Sequence, residues 1–181
     1  MPKTRASCFI RGSSHLETIK VLGLRPRAFI CFSVSGTPNE TLAPVFDTLL
    51  QPLVTKLPSY IKNTTHGHFL NKLNNVGQLP DGVLLVILDV SSLYTNIPHK
   101  DGIQTCSEFL DSRLNSSTQT TRLCDLIHMI LTNNTFAFNG QRYRQVTGTA
   151  IGTNMAPSHA NLFMGKFEER ALAGATHSPL I

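Results

Sequence analysis

The stretch LLVILDVSSLYTNIP, Leu84 to Pro98, is where the fold is decided. Its first half belongs to a continuous apolar run, Val83 to Leu88, that is short and rich in branched side chains. Such a run predicts a strand buried on both faces in the middle of a sheet. The run ends on Asp89. A carboxylate at the end of a buried strand is costly unless a partner compensates its lost hydration. A hard divalent cation such as magnesium, which prefers oxygen ligands, is one such partner. The other reading makes Asp89 a cap or turn residue after an ordinary core strand, since Asp and Ser are common in turns. Tyr94 follows five positions after Asp89, and Pro98 closes the segment.

A second stretch, GTAIGTNMAPSHANLFM from Gly148 to Met164, has the spacing Gly148-x-x-x-Gly152-x-x-x-x-Pro157-x-x-x-Asn161. With LPSYIKNTTHGHFLNKLNN, Leu57 to Asn75, the two stretches resemble reverse transcriptases, and in wording those of Penelope-like retroelements. The resemblance covers roughly residues 35–170. It implies an RNA-directed DNA polymerase in its fingers and palm, acting on an RNA or DNA template–primer and deoxynucleotides.

Polymerisation of this kind is phosphoryl transfer, in which the protein positions reactants and neutralises charge. The resemblance implies two magnesium ions, about 4 Å apart as in two-metal sites generally. It gives Asp89 as the catalytic carboxylate on both ions and the carbonyl of Val90 as a further metal ligand. Tyr94 would lie under the incoming sugar and exclude a 2′-hydroxyl; the alternative is a core aromatic. Ser91 and Ser92 would offer backbone amides to the triphosphate, as turn amides suit anions. Gly148 and Gly152 would let the backbone approach template and nucleotide, and Pro157 and Asn161 would open the following helix. Ile151 stands where most such enzymes carry glutamine, with Gln145 as a candidate substitute. Ala160, Phe163, Met164 and Phe167 are better read as core.

The chain has 181 residues, a length that suits one domain or most of one. Residues 1–34 are poorly assignable, and residues 35–181 are expected to form the partial reverse transcriptase domain. A hydrophobic fraction of 41% argues for a globular chain rather than a disordered one. The net charge of +5 and pI near 9.2 are compatible with nucleic acid without requiring it. Lys56, Lys62, Lys72, Arg142, Arg144 and Lys166 are candidates for tracking phosphates, each weighed against an ordinary solvated charge. The four cysteines, Cys8, Cys31, Cys106 and Cys124, show no CxxC spacing, hence neither a zinc site nor a disulfide framework. His66 and His68 lack a third ligand nearby and read as solvated. No run reaches membrane-spanning length. The expected location is intracellular, nuclear or cytoplasmic, with a mitochondrial presequence as the less favoured reading of MPKTRASCFIRGSS.

Along the chain, Leu42, Val45, Phe46, Leu49, Leu50 and Leu53 recur at helical spacing, and Pro52 should end or kink that helix. Phe69, Leu70, Leu73 and Val76 suggest a short helix closed by Gly77. Further helices are expected over about 103–114 (facing inward with Ile103, Cys106, Phe109 and Leu110), 120–131 (with Leu123, Ile127, Ile130 and Leu131) and 156–172. Between the last two, alternation around Asn139-Gly140 predicts a hairpin. This order permits an α+β class, and the resemblance sharpens it to a partial right-hand polymerase with helices packed on a small, mainly antiparallel sheet. No Tyr-x-Asp-Asp occurs; after Arg170 the chain reads ALAGATHSPLI. The expectation is therefore a fragment inactive as it stands. The alternative is a non-catalytic remnant that binds nucleic acid or a protein.

Overall fold

A computed structural model describes residues 10–12, 38–61, 66–79, 81–82, 86, 89–114, 116–138 and 141–175. Helix α1 spans Pro38–Val54, with proline at its first position, where a missing N–H costs nothing. Pro44 and Pro52 lie inside it, and the helix stops two residues after Pro52. Helix α2 is His66–Val76, followed by Gly77 at φ 69°, the left-handed stop its glycine suits. Pro98 precedes α4, His99–Leu114, and α3 is a single turn, Leu93–Asn96. Helix α5 is Ser117–Thr132 and α6 is Met155–Ala173.

The strands are short: β1, Ile10–Gly12; β2, Thr135–Phe138; and β3, Gln141–Gln145. They form an antiparallel sheet of order β1-β3-β2. Phe138 pairs with Gln141, as a two-residue hairpin over Asn139-Gly140 requires, and Ile10 pairs with Gln145 on the other edge.

The core belongs to the helices. Ala43, Phe46, Leu50, Leu53 and Val54 of α1 meet Cys106 and Leu110 of α4, Ile127, Ile130 and Leu131 of α5, and Met155 and Leu162 of α6. The extensive contacts are α4 on α5, α1 on α6 and α4 on α6. Polar side chains lock the same seams. Buried Asn39 donates its amide to the carbonyl of Ile130 (3.0 Å) and to Asn134 Oδ1 (2.8 Å), tying the start of α1 to the end of α5. Ser158 of α6 donates to Asp47 and receives Gln51 Nε2 at 3.0 Å, tying α6 to α1.

This architecture corrects the expected α+β class and the partial right-hand polymerase. The molecule is mainly helical. Its helices pack on one another rather than on a sheet, and the buried apolar cluster given by the described residues is built from α1, α4, α5 and α6. The central strand expected over 83–88 falls almost wholly on residues that are not described. Residues 83–85 and 87–88 lie outside the described residues, and Val86 is irregular and 67% exposed. Four helices with apolar stripes at the 3.6-residue period cover one another and form the buried cluster between them.

Candidate functional site

Asp89 and Val90 are exposed, in irregular backbone. The chain then turns through Ser91 and Ser92, and Ser92 takes the left-handed conformation (φ 55°, ψ 40°). A serine there costs on the order of 1–2 kcal/mol. The turn is held by what converges on it: the Ser92 carbonyl accepts the amides of Thr95 (3.1 Å) and Asn96 (3.2 Å) and the Thr95 hydroxyl (3.0 Å), while Asn96 Nδ2 donates to the Ser91 carbonyl (3.1 Å). The result is α3, with Tyr94 half-buried and its carbonyl turned to the glycine-rich loop.

That loop reaches the same place from the other side. The Thr149 amide donates to the Tyr94 carbonyl at 2.6 Å. Gly148, buried at φ 78°, lies so close that a Cβ there would fall 2.6 Å from Thr95 Cα and 2.7 Å from the Tyr94 oxygen. Both its dihedral and its surroundings require glycine. The Gly148 carbonyl in turn accepts from His99 Nε2, at the first residue of α4, at 2.7 Å. The Thr149 hydroxyl meets His159 Nδ1 at 2.9 Å inside α6. Beyond it, the Ala150 carbonyl accepts the amide (3.3 Å) and hydroxyl (3.0 Å) of Thr153, and Ala156 bonds back to Thr153, which starts α6.

The two stretches that carry the resemblance therefore meet backbone to backbone at Tyr94–Thr95 and Gly148–Thr149. Gly152 is exposed at φ 107°, and Pro157 is exposed in the first turn of α6. Asn161 looks elsewhere. Two residues along a helix turn it by roughly 200° from His159, and it lines a hollow of about 290 Å³ with Leu57, Tyr60 and Met164. Gln145 is buried and donates Nε2 to the Thr147 carbonyl (2.8 Å), bracing the approach to the loop. Ile151 is half-buried.

Electrostatics limit what the site can hold. Asp101 and Asp111 lie on α4 and Asp125 on α5. Among the described residues no group of three His, Cys, Asp or Glu side chains could hold a metal ion. The described residues thus do not fit a pair of magnesium ions around Asp89. Three of the six basic candidates are engaged internally. Lys166 pairs with Glu169 (2.8 Å) and Glu108 (3.3 Å), Arg144 Nε donates to the Thr132 carbonyl (2.6 Å), and Lys72 donates to the Pro58 carbonyl (2.8 Å). Lys56 is exposed; Lys62 and the side chain of Arg142 lie outside the described residues.

The sequence reading passed over His99 and His159. Burial pushes the His159 imidazole down to about 4, with nearby His99 adding to the effect. His99 is lowered by its own burial, against the raising effect of the Gly148 bond, and lowered further by His128. The one available signal was a histidine inside an otherwise small and apolar helix start, MAPSHANLFM. His99 also borders an open groove of about 710 Å³ between α4 and α5, lined further by Lys100, Gln104, Cys124, Asp125 and His128. Cys106 beneath is fully buried, and its thiol is pushed up to about 12, so it is no nucleophile.

No described helix is long and apolar enough to cross a membrane. Comparison with protein-family models, with curated proteins and with solved structures finds no match.

Proposed function

We propose that this chain is a portion of an RNA-directed DNA polymerase of a retroelement, and that taken alone it does not extend a primer. Tyr94 and Gly152 face the deoxynucleotide and template–primer, with Ser91 and Ser92 beside the phosphates, while buried Gly148 seats the loop on α3. One observation carries this: two segments distant in sequence, each resembling a nucleotide-facing motif, are joined by the Thr149 amide on the Tyr94 carbonyl, with a glycine where any side chain would collide. A loop and a turn with exposed backbone on either side of such a joint suit close approach by a planar base and its sugar.

A second reading, a non-catalytic remnant that binds nucleic acid or a protein, is favoured by the acids. Asp89 stands in no cluster of three metal-ligating side chains among the described residues. Two measurements on the purified chain separate these readings. In the first, a fluorescent primer–template and deoxynucleotides are titrated at low and high salt, with the wild type and Tyr94→Ala. Binding that weakens with salt, with nucleotide affinity lost in the variant, supports the polymerase reading. Binding indifferent to Tyr94 supports the second, and no binding removes both nucleic-acid readings. In the second, primer extension with magnesium is expected to yield nothing; template-dependent extension would overturn the claim of inactivity.

A further inference from the structure

The peptide unit between Gly148 and Thr149 is gripped at both ends. Its carbonyl accepts from His99 and its N–H donates to Tyr94. A third hold comes through the Thr149 side chain from His159. His159 is only 1% exposed. Its Nε2 is buried with no hydrogen-bond partner among the described residues. The opposing helix makes room for it with Gly102, where a Cβ would fall 2.6 Å from both Cε1 and Nε2. A helix-interior glycine and a half-satisfied buried imidazole both weaken the fold where they stand. Local packing does not account for them, since an apolar side chain would fill the slot without an orphaned nitrogen.

We infer that His159 is a positioning residue that, as its Nδ1–H tautomer, donates to the Thr149 hydroxyl and locks the Gly148–Thr149 peptide onto the Tyr94 carbonyl. The tautomer follows from the environment. Protonated at Nε2, the ring would bury an N–H without an acceptor against Gly102, whereas protonated at Nδ1 it leaves only a bare lone pair there. Buried orphan donors are rarer than under-used acceptors. With the peptide unable to flip, the Gly148 carbonyl stays on His99 and the loop keeps one seat on α3. What the loop serves rests on the function proposed above; the lock itself does not.

The test uses the full chain labelled with nitrogen-15. Imidazole spectra report the tautomer, and amide exchange is followed at Thr149 and, as core references, at Leu50 and Ile130. His159→Leu removes the donor, Thr149→Val removes the hydroxyl at nearly constant volume, and His159→Asn restores a donor near the Nδ1 position. The expected result is an Nδ1–H ring in the wild type. Thr149 exchange should rise about tenfold, as for one lost hydrogen bond, in His159→Leu and Thr149→Val, with the core amides unchanged and wild-type behaviour in His159→Asn. An Nε2–H ring, equal acceleration of all three amides, or none, overturns the inference. Should His159→Leu fail to fold, Thr149→Val alone decides. If the exchange pattern holds while the wild type binds no nucleotide, the proposed function fails and the lock stands.

Discussion

Replacing Gly148 by alanine should damage this protein far more than the same change at Gly77, and the difference measures the joint between the two motif segments. Both glycines have positive φ, 78° and 69°. An alanine at either costs about 1–2 kcal/mol in backbone conformation, and both changes reduce unfolded-state freedom equally. Around Gly77 nothing among the described residues lies within 4 Å of the added methyl, so that variant shows the conformational cost alone. At Gly148 the methyl would lie 2.6 Å from Thr95 Cα, 2.7 Å from the Tyr94 oxygen and 2.8 Å from the Thr95 oxygen, all backbone atoms that cannot swing aside. Overpacking of this kind adds about 1–3 kcal/mol. Gly148→Ala is thus expected to lose about 2–5 kcal/mol, and to exceed Gly77→Ala by the overpacking share. Urea unfolding of both variants, compared at equal slope, gives the two values. Equal losses would mean that the loop does not press on α3, and the site described here would have no joint.

Three further outcomes follow from the same contacts. Gly102→Ala should gain about 1 kcal/mol of helix propensity yet destabilise the wild type through its collision with His159, and turn stabilising in a His159→Ala background; additive urea midpoints would refute that contact. Because the folded pKa of His159 lies at about 4, below the ordinary 6.5, the unfolded chain binds the extra proton first. Stability should therefore be full above pH 6.5 and fall towards pH 4, by up to about 3 kcal/mol at 1.36 kcal/mol per unit, with a shallower slope in His159→Asn by thermal melts across that range. Glu108→Gln, which removes the ion pair with Arg170 and the longer of Lys166's two while leaving Lys166 on Glu169, should lower the urea midpoint only slightly and less still in high salt, as half-exposed pairs do.

Much of the helical frame was legible, because period and punctuation agree in those segments. Ile127, Ile130 and Leu131 face the core as their spacing requires, Gly77 stops α2, and β2 and β3 pair antiparallel as the hairpin signal implies. The failures have physical causes. Val45 lies 54% exposed although it shares the apolar pattern of α1, because the buried stripe runs through Asn39, Ala43, Phe46, Leu50 and Leu53 and Val45 falls beside it. Gly102 is buried in α4 because His159 and Ile97 fill the space that a larger residue would need, which no single-helix pattern reveals. A short apolar run such as Val83–Leu88 has no period that separates strand from other structure, and the α+β class is overturned by helices that pack on one another. The resemblance assigned Tyr94 and Gly148 to one nucleotide site but did not indicate that they touch. The two histidines that hold the joint were not foreshadowed, since a lone histidine carries no pattern.

The clasp between Asn39 and Asn134 has a price in time. Its partners stand 95 residues apart. On a ribosome adding about 5–20 residues per second, the first helix waits on the order of 5–20 s with its oily side uncovered before the segment that shelters it has been made. A nascent chain of this protein is therefore a natural client for whatever guards the tunnel exit.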